Sequence, residues 1–223
     1  VVRDSDIGPC AGDASIVVQA SGATLENNVV HEGRRGILVV RASNVSVLNN
    51  QVHGPFAGNS CGTNNPSHCS SAIQFDNVNN SIVQGNQVRG SNYGSDAVSV
   101  YESSSVRLVG NDIDVNIAWM HAAGFTMGDS TSGNPGRDNY VAGNVVRQTG
   151  GVPAGVFGSN GNTILEKNCL TGGIQAFNYS GTFVGVTVRN NVINIGASFV
   201  PDTSVVAGWS SNINSTNCSL VPN

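Results

Sequence analysis

The chain is expected to be all-β, a parallel β-helix solenoid of about 7–8 coils of 22–25 residues with two inserted loops. Three observations predict this. An Asn followed two places later by Val, Ile or Leu recurs at Asn28, Asn50, Asn86, Asn111, Asn144, Asn168 and Asn191. The steps between them are 22, 36, 25, 33, 24 and 23, a unit repeat interrupted by two insertions. The segments between are short runs of alternating apolar residues, with no helical periodicity anywhere. Leucine-rich repeats would need their Leu-rich consensus, and propeller blades would need about 40 residues or more.

Each coil then divides into three strands. The first is Ile37-Leu38-Val39, and again Ile73-Gln74-Phe75, Val98-Ser99-Val100, Phe125-Thr126-Met127 and Ile174-Gln175-Ala176. The second is Val45-Ser46-Val47, followed in later coils by Ile82-Val83, Val106-Arg107-Leu108, Tyr140-Val141, Ile164-Leu165 and Val186-Thr187-Val188. The recurring Asn opens the third. It is expected to take the left-handed turn conformation that Asn tolerates. Stacked at the ~4.8 Å strand spacing, its amides form a ladder, so these Asn are structural.

Residues 1–12 read as a coil cut open, with Ser5-Asp6-Ile7 standing 23 residues before the Asn28 phrase. An open solenoid end exposes strand edges, so a further N-terminal segment, domain or partner subunit is expected to cover it. The start at Val1-Val2-Arg3, without Met, reads as a mature or trimmed chain. The insertions are residues 54–71 and 116–136, and a short loop runs from Gly90 to Asp96. Residues 196–223 form a C-terminal tail or cap around Trp209, with one more strand at Val205-Val206-Ala207. All of 1–223 is read as a single domain.

Composition bounds the partners. The 223 residues carry 28 Gly, 11% charged residues and a formal charge of −4, with Lys167 the one lysine. No basic stripe suits nucleic acid, and no apolar run approaches the ~20 residues of a membrane span. Five cysteines in a Ser/Asn/Thr-rich chain suggest an oxidising, extracellular compartment. Cys61 and Cys69 are expected to staple the first insertion, Cys218 to reach Cys169 or another partner, and Cys10 to be left over. There is no C-x-x-C pair, so zinc is disfavoured. Sequons stand at Asn44, Asn79, Asn178, Asn214 and Asn217, the first two also serving as turn residues.

Long loops in compact domains usually carry function. Both insertions fall on one side of the rod and would wall the outer face of the first-strand sheet. Alternation sends Gln74/Asp76, Ser99/Tyr101, Thr126/Gly128, Phe157/Ser159 and Gln175/Phe177 outward. Neighbouring rungs then set Asp76 beside Tyr101. Asp96 stands at a strand entrance, Arg41 and Glu102 at exits, and His68 and His121 come from the loops. Tyr101, Phe157 and Phe177 would line the groove with aromatic faces for sugar rings. The candidate catalytic groups are therefore Asp76, Tyr101, His121, Asp96 and His68. Arg41, Gln74, Ser99, Glu102, Phe157 and Phe177 are candidate substrate contacts. A second outward column, His31, His53, Arg89, Asp114, Arg147, Thr171 and Asn194, reads as a solvated strand exit rather than a metal site.

Over about residues 5–195 this repeat resembles the right-handed parallel β-helix proteins of the pectate-lyase-like superfamily. The resemblance implies secreted enzymes acting on polysaccharides: lyases, uronate epimerases and glycoside hydrolases. Ser95-Asp96-Ala97-Val98-Ser99-Val100 and Gly124-Phe125-Thr126-Met127-Gly128 are similar to catalytic strands of polygalacturonases. They depart from that pattern at Ser95, at Ala123 and at Ser70-Ser71, so hydrolysis would need Asp96 with Asp76 or Glu102. Lyase or epimerase chemistry needs a base, an acid and a neutraliser, roles open to Tyr101, His121 or His68, Arg41 and Gln74. No cofactor is expected, with Ca²⁺ near Asp76 an alternative neutraliser. A non-catalytic carbohydrate-binding or adhesin-like solenoid is the competing reading.

Overall fold

The computed structural model describes residues 1–8, 14–31, 35–54, 71–93, 96–117, 123–128, 136–149, 152–157, 161–172, 178–180, 185–194 and 207–222. For 91–93, 116–117, 123, 148–149, 152–157, 172 and 178–180 the backbone alone is described. Every strand pairing in it is parallel and links one coil to the next, as a β-helix requires.

Among the described residues the first-strand sheet stacks seven strands: Ile16–Val18, Ile37–Val40, Ile73–Asp76, Val98–Tyr101, Ala123–Met127, Val152–Phe157 and Asn178–Ser180. The second-strand sheet has eight, from Val2–Arg3 to Thr187–Arg189, and the third-strand sheet nine, from Asp6–Ile7 to Ile213–Asn214. Register keeps like residues in columns. Ile37, Ile73, Val98 and Phe125 pair in one row, and Val39, Phe75, Val100 and Met127 in another. These side chains, with Leu25, Val47, Val83, Leu108, Val141, Leu165 and Val188 from the second sheet, fill the interior. Each buried aliphatic contributes roughly 1.5–3 kcal/mol, and successive rungs repeat the gain.

The Asn ladder is present and longer than its sequence phrase. From Asn28 to Asn191 each side-chain amide donates to the Oδ1 of the next at 2.9–3.0 Å. The same Oδ1 accepts the main-chain N–H of the rung before it, as Asn86 N–H to Asn111 Oδ1 at 2.9 Å. Asn212 supplies an eighth rung. The left-handed turn belongs to the preceding residue, not to the ladder Asn. Asn27, Asn49, Gly85, Gly110, Gly143, Lys167 and Asn190 carry the positive φ, between 53° and 68°. The ladder Asn instead spends its amide on the stack.

Three boundaries move. The third-strand segment runs on to Tyr93, pairing with Ile117, where a loop over 90–96 was expected. Val156 pairs with Met127, two places from the expected level of Phe125. In the next coil the strand is Asn178–Ser180, while Ile174-Gln175-Ala176 lies outside the described residues. Pairing to the neighbouring rung decides register here, and local apolar pattern does not.

The tail continues the third-strand sheet. Ala207 bridges to Thr187, Trp209–Ser211 forms a 3-10 turn, and Ile213–Asn214 adds the ninth third-sheet strand. Cys218 is bonded to Cys169, Cα–Cα 5.3 Å, as the sequence suggested. Cys169 faces outward on its sheet yet is buried, because the tail that carries Cys218 crosses it. Val205, Val206, Cys10, Cys61 and Cys69 lie outside the described residues.

Candidate functional site

The outer face of the first-strand sheet holds two polar rows set by register. Leu38, Gln74, Ser99 and Thr126 share one, and Val40, Asp76 and Tyr101 the other. The expected Asp76–Tyr101 neighbourhood is present. In the first row Gln74, Ser99 and Thr126 are 3%, 0% and 1% exposed, so this part of the face is closed to solvent.

Residues at the strand entrances reach over that face. Arg35, Ser71 and Asp96 stand level with one another, two places before the inward Ile37, Ile73 and Val98. Arg35 Nε donates to Gln74 Oε1 at 3.0 Å, and Ser71 Oγ meets Ser99 Oγ at 2.8 Å. The Tyr101 hydroxyl folds back and donates to Asp96 Oδ2 at 2.8 Å. One coil further the level position is Ala123, which has no polar side chain. There the buried Thr126 hydroxyl finds no partner among the described residues.

Asp76 and Glu102 are half-buried and Arg41 is exposed. Arg41, Asn77, Glu102 and Gly128 occupy the turn leaving four successive strands, with φ of 51°, 55°, 48° and 85°. His68, His121 and Phe177 lie outside the described residues, and the Phe157 side chain does too. By register Phe157 is level with Gly128, which separates it from Tyr101.

Arg35 is the site residue that sequence reasoning missed. It lies before the strand, where alternation assigns no face. Its signal was only its place, level with Ser71 and Asp96.

The other two sheets carry charges of a different kind. On the third, Arg89 and Arg147 both bond Asp112, and Arg147 Nε reaches Asp114 Oδ2 at 3.4 Å. His31 Nε2 lies 2.6 Å from Asp6 Oδ1. On the second, the Tyr140 hydroxyl donates to Glu166 Oε1 at 2.7 Å, Arg189 Nε donates to Oε2 at 2.7 Å, and Arg107 covers the Tyr140 ring. The Tyr140 hydrogen bond, with Arg189, holds the Glu166 carboxyl below its ordinary value, and the same bond raises the Tyr140 phenol. Among the described residues no group of three or more His, Cys, Asp and Glu is arranged to hold a metal ion.

Residues 1–193 match the right handed beta helix region family, and the chain belongs to it. The match covers most of the chain and supplies the hand of the coil. No curated protein matches the chain.

Proposed function

We propose that the chain is a secreted carbohydrate-active enzyme that works on a polysaccharide laid along the first-strand sheet, by lyase or uronate-epimerase chemistry. The β-helix family supports the substrate class, since that fold is common among carbohydrate-active enzymes. The observation that carries the chemistry is the Tyr101 hydroxyl held on Asp96 beside Asp76. Two proton carriers thus stand on neighbouring rungs, and a third group fixes one of them.

In the lyase step the Asp76 carboxylate takes the proton α to a uronate carboxyl. The electron pair forms the ring double bond and expels the glycosidic oxygen. Tyr101 gives that oxygen its hydroxyl proton. Arg41 neutralises the uronate carboxylate as charge builds. For epimerisation Tyr101 returns its proton to the carbon instead. His121 and His68 are proposed to join the same site from the loops. The Cys169–Cys218 disulfide supports an oxidising compartment and hence secretion.

A hydrolase reading draws on one further observation. Asp96 is buried and held by Tyr101, while Asp76 and Glu102 are half-buried and partly open to water. Carboxylates in unlike environments are what acid and base roles need. Digestion of a glycan panel, read by reducing ends and by ultraviolet absorbance of unsaturated products, separates these. Absorbance with new ends identifies a lyase, and new ends alone a hydrolase. Silence on every polymer, with no epimerisation by NMR, leaves a non-catalytic binding solenoid.

A further inference from the structure

Three charged side chains on adjacent rungs of the first-strand sheet are unmatched. Among the described residues, Arg41, Asp76 and Glu102 make no side-chain hydrogen bond or ion pair. Most other charges on the rod are paired or grouped, as Arg89, Arg147, Asp112 and Asp114 are. Among the described residues Asp4 and Lys167 are unpaired too, but they stand far apart in a turn column otherwise of Asn and Gly. Arg41, Asp76 and Glu102 occupy adjacent rungs. Arg41 N–H donates to Asp76 O at 3.0 Å, and Asn77 N–H to Tyr101 O at 3.1 Å, so Arg41, Asn77 and Glu102 are successive members of one turn column. With rungs about 4.8 Å apart, Arg41 and Glu102 are separated by about 10 Å.

The backbone adds a second, independent observation. Among the described residues thirteen non-glycine residues have positive φ, and nine of them are Asn or Asp, the types that accept that conformation. The remaining four are Arg41, Glu102, Ser105 and Lys167. Two of these four flank Asp76 and Tyr101, in the column where Asn77 and Gly128 show the untroubled choices. Lys167 serves the turn before a ladder Asn, whereas Arg41 and Glu102 hold this conformation beside Asp76 and Tyr101.

We infer that Arg41, Asp76 and Glu102 form the recognition row of a glycan site for a heteropolysaccharide in which acidic sugars alternate with neutral ones. This rests on the carbohydrate reading of the same sheet. Arg41 offers a planar fork to a sugar carboxylate. The Asp76 and Glu102 carboxylates accept hydrogen bonds, which sugar hydroxyls donate. Where Arg41 holds the carboxylate of the uronate whose proton Asp76 takes, the next sugar lies at Glu102, and a uronate there would set like charges together. A wholly neutral polymer would leave Arg41 unused.

The test is affinity electrophoresis of the full chain in gels containing hyaluronan, gellan or xanthan (acidic and neutral sugars mixed), polygalacturonate or alginate (uronate throughout), or galactomannan (neutral). Arg41→Asn and Glu102→Asn are compared with the parent. The expected result is retardation by at least one mixed polymer, weakened at least tenfold in each variant. Because Asn suits the turn, both variants should also melt about 2–4 °C higher. Folding failure therefore cannot mimic the loss. Retardation by no mixed polymer overturns the inference, as does retardation confined to uronate-only or neutral polymers, or binding unchanged in the variants. Binding is read without turnover, so an inactive protein that still shows the pattern would sink the catalytic reading and leave the recognition row standing.

Discussion

Two outer faces of one rod treat charge in opposite ways. On the third-strand sheet Arg89, Asp112, Arg147 and Asp114 neutralise one another across adjacent rungs. On the first-strand sheet Arg41, Asp76 and Glu102 stand equally close in register and stay unmatched. The same stacking geometry produced both. A solenoid stacks its charges in columns, yet here Arg41 stays unpaired although Asp76 stands on the next rung. The matched face reads as solvated structure, and the unmatched one is the surface proposed above to meet the glycan. Tyrosine makes the same contrast. Tyr140 is locked between Glu166 and Arg107, whereas Tyr101 is held by Asp96 at the edge of the open row.

The largest effect expected is interior, where neither face contributes. Asn111→Ala removes an acceptor of Asn86 N–H and of the Asn86 amide, and the donor to Val83 O and Asn144 Oδ1. Leaving such buried groups unsatisfied should cost about 4 kcal/mol, a melting drop near 10 °C for a chain of this length. A loss under about 1 kcal/mol by chemical denaturation would mean that the ladder is ornament on a core that holds itself.

Cys218→Ser should come next, at about 3 kcal/mol for a bond closing a 49-residue separation. The loss should be local, so hydrogen exchange would speed in residues 207–222 and not at the Asn86–Asn111 rungs. Uniform speeding along the rod would show that the tail is no separate cap.

The matched second-strand face should respond least, and to pH. Glu166 is held below its ordinary value, so it adds stability above that value and loses it as pH falls through the lowered one. Tyr140 is raised, so its share is complete below its ordinary value and disappears as pH climbs through the raised one. Tyr140→Phe should flatten both limbs of the stability profile, with under about 1 kcal/mol lost between them.

The ladder was legible because each rung repeats a phrase, and Asp76–Tyr101 because register follows from spacing. Cys169–Cys218 was one of the pairings left open. Asn212 was hidden since its inward position holds Asn214 in place of an aliphatic residue, although it follows Asn191 by 21 residues. The left-handed residue was misassigned despite the doublets Asn27-Asn28, Asn49-Asn50, Gly85-Asn86 and Gly110-Asn111, which carry turn and ladder side by side. The Arg35–Gln74 and Asp96–Tyr101 contacts were not legible at all. They depend on long side chains crossing a strand, which no periodicity encodes.

The most direct measurement compares the parent protein and Tyr101→Phe on whichever polymer of the panel is degraded or epimerised, with melting recorded for both. The proposed role of Tyr101 requires at least a tenfold loss of turnover, with binding retained and the fold unchanged. A loss of less than tenfold at an unchanged melting temperature would contradict it and move the chemistry away from Tyr101.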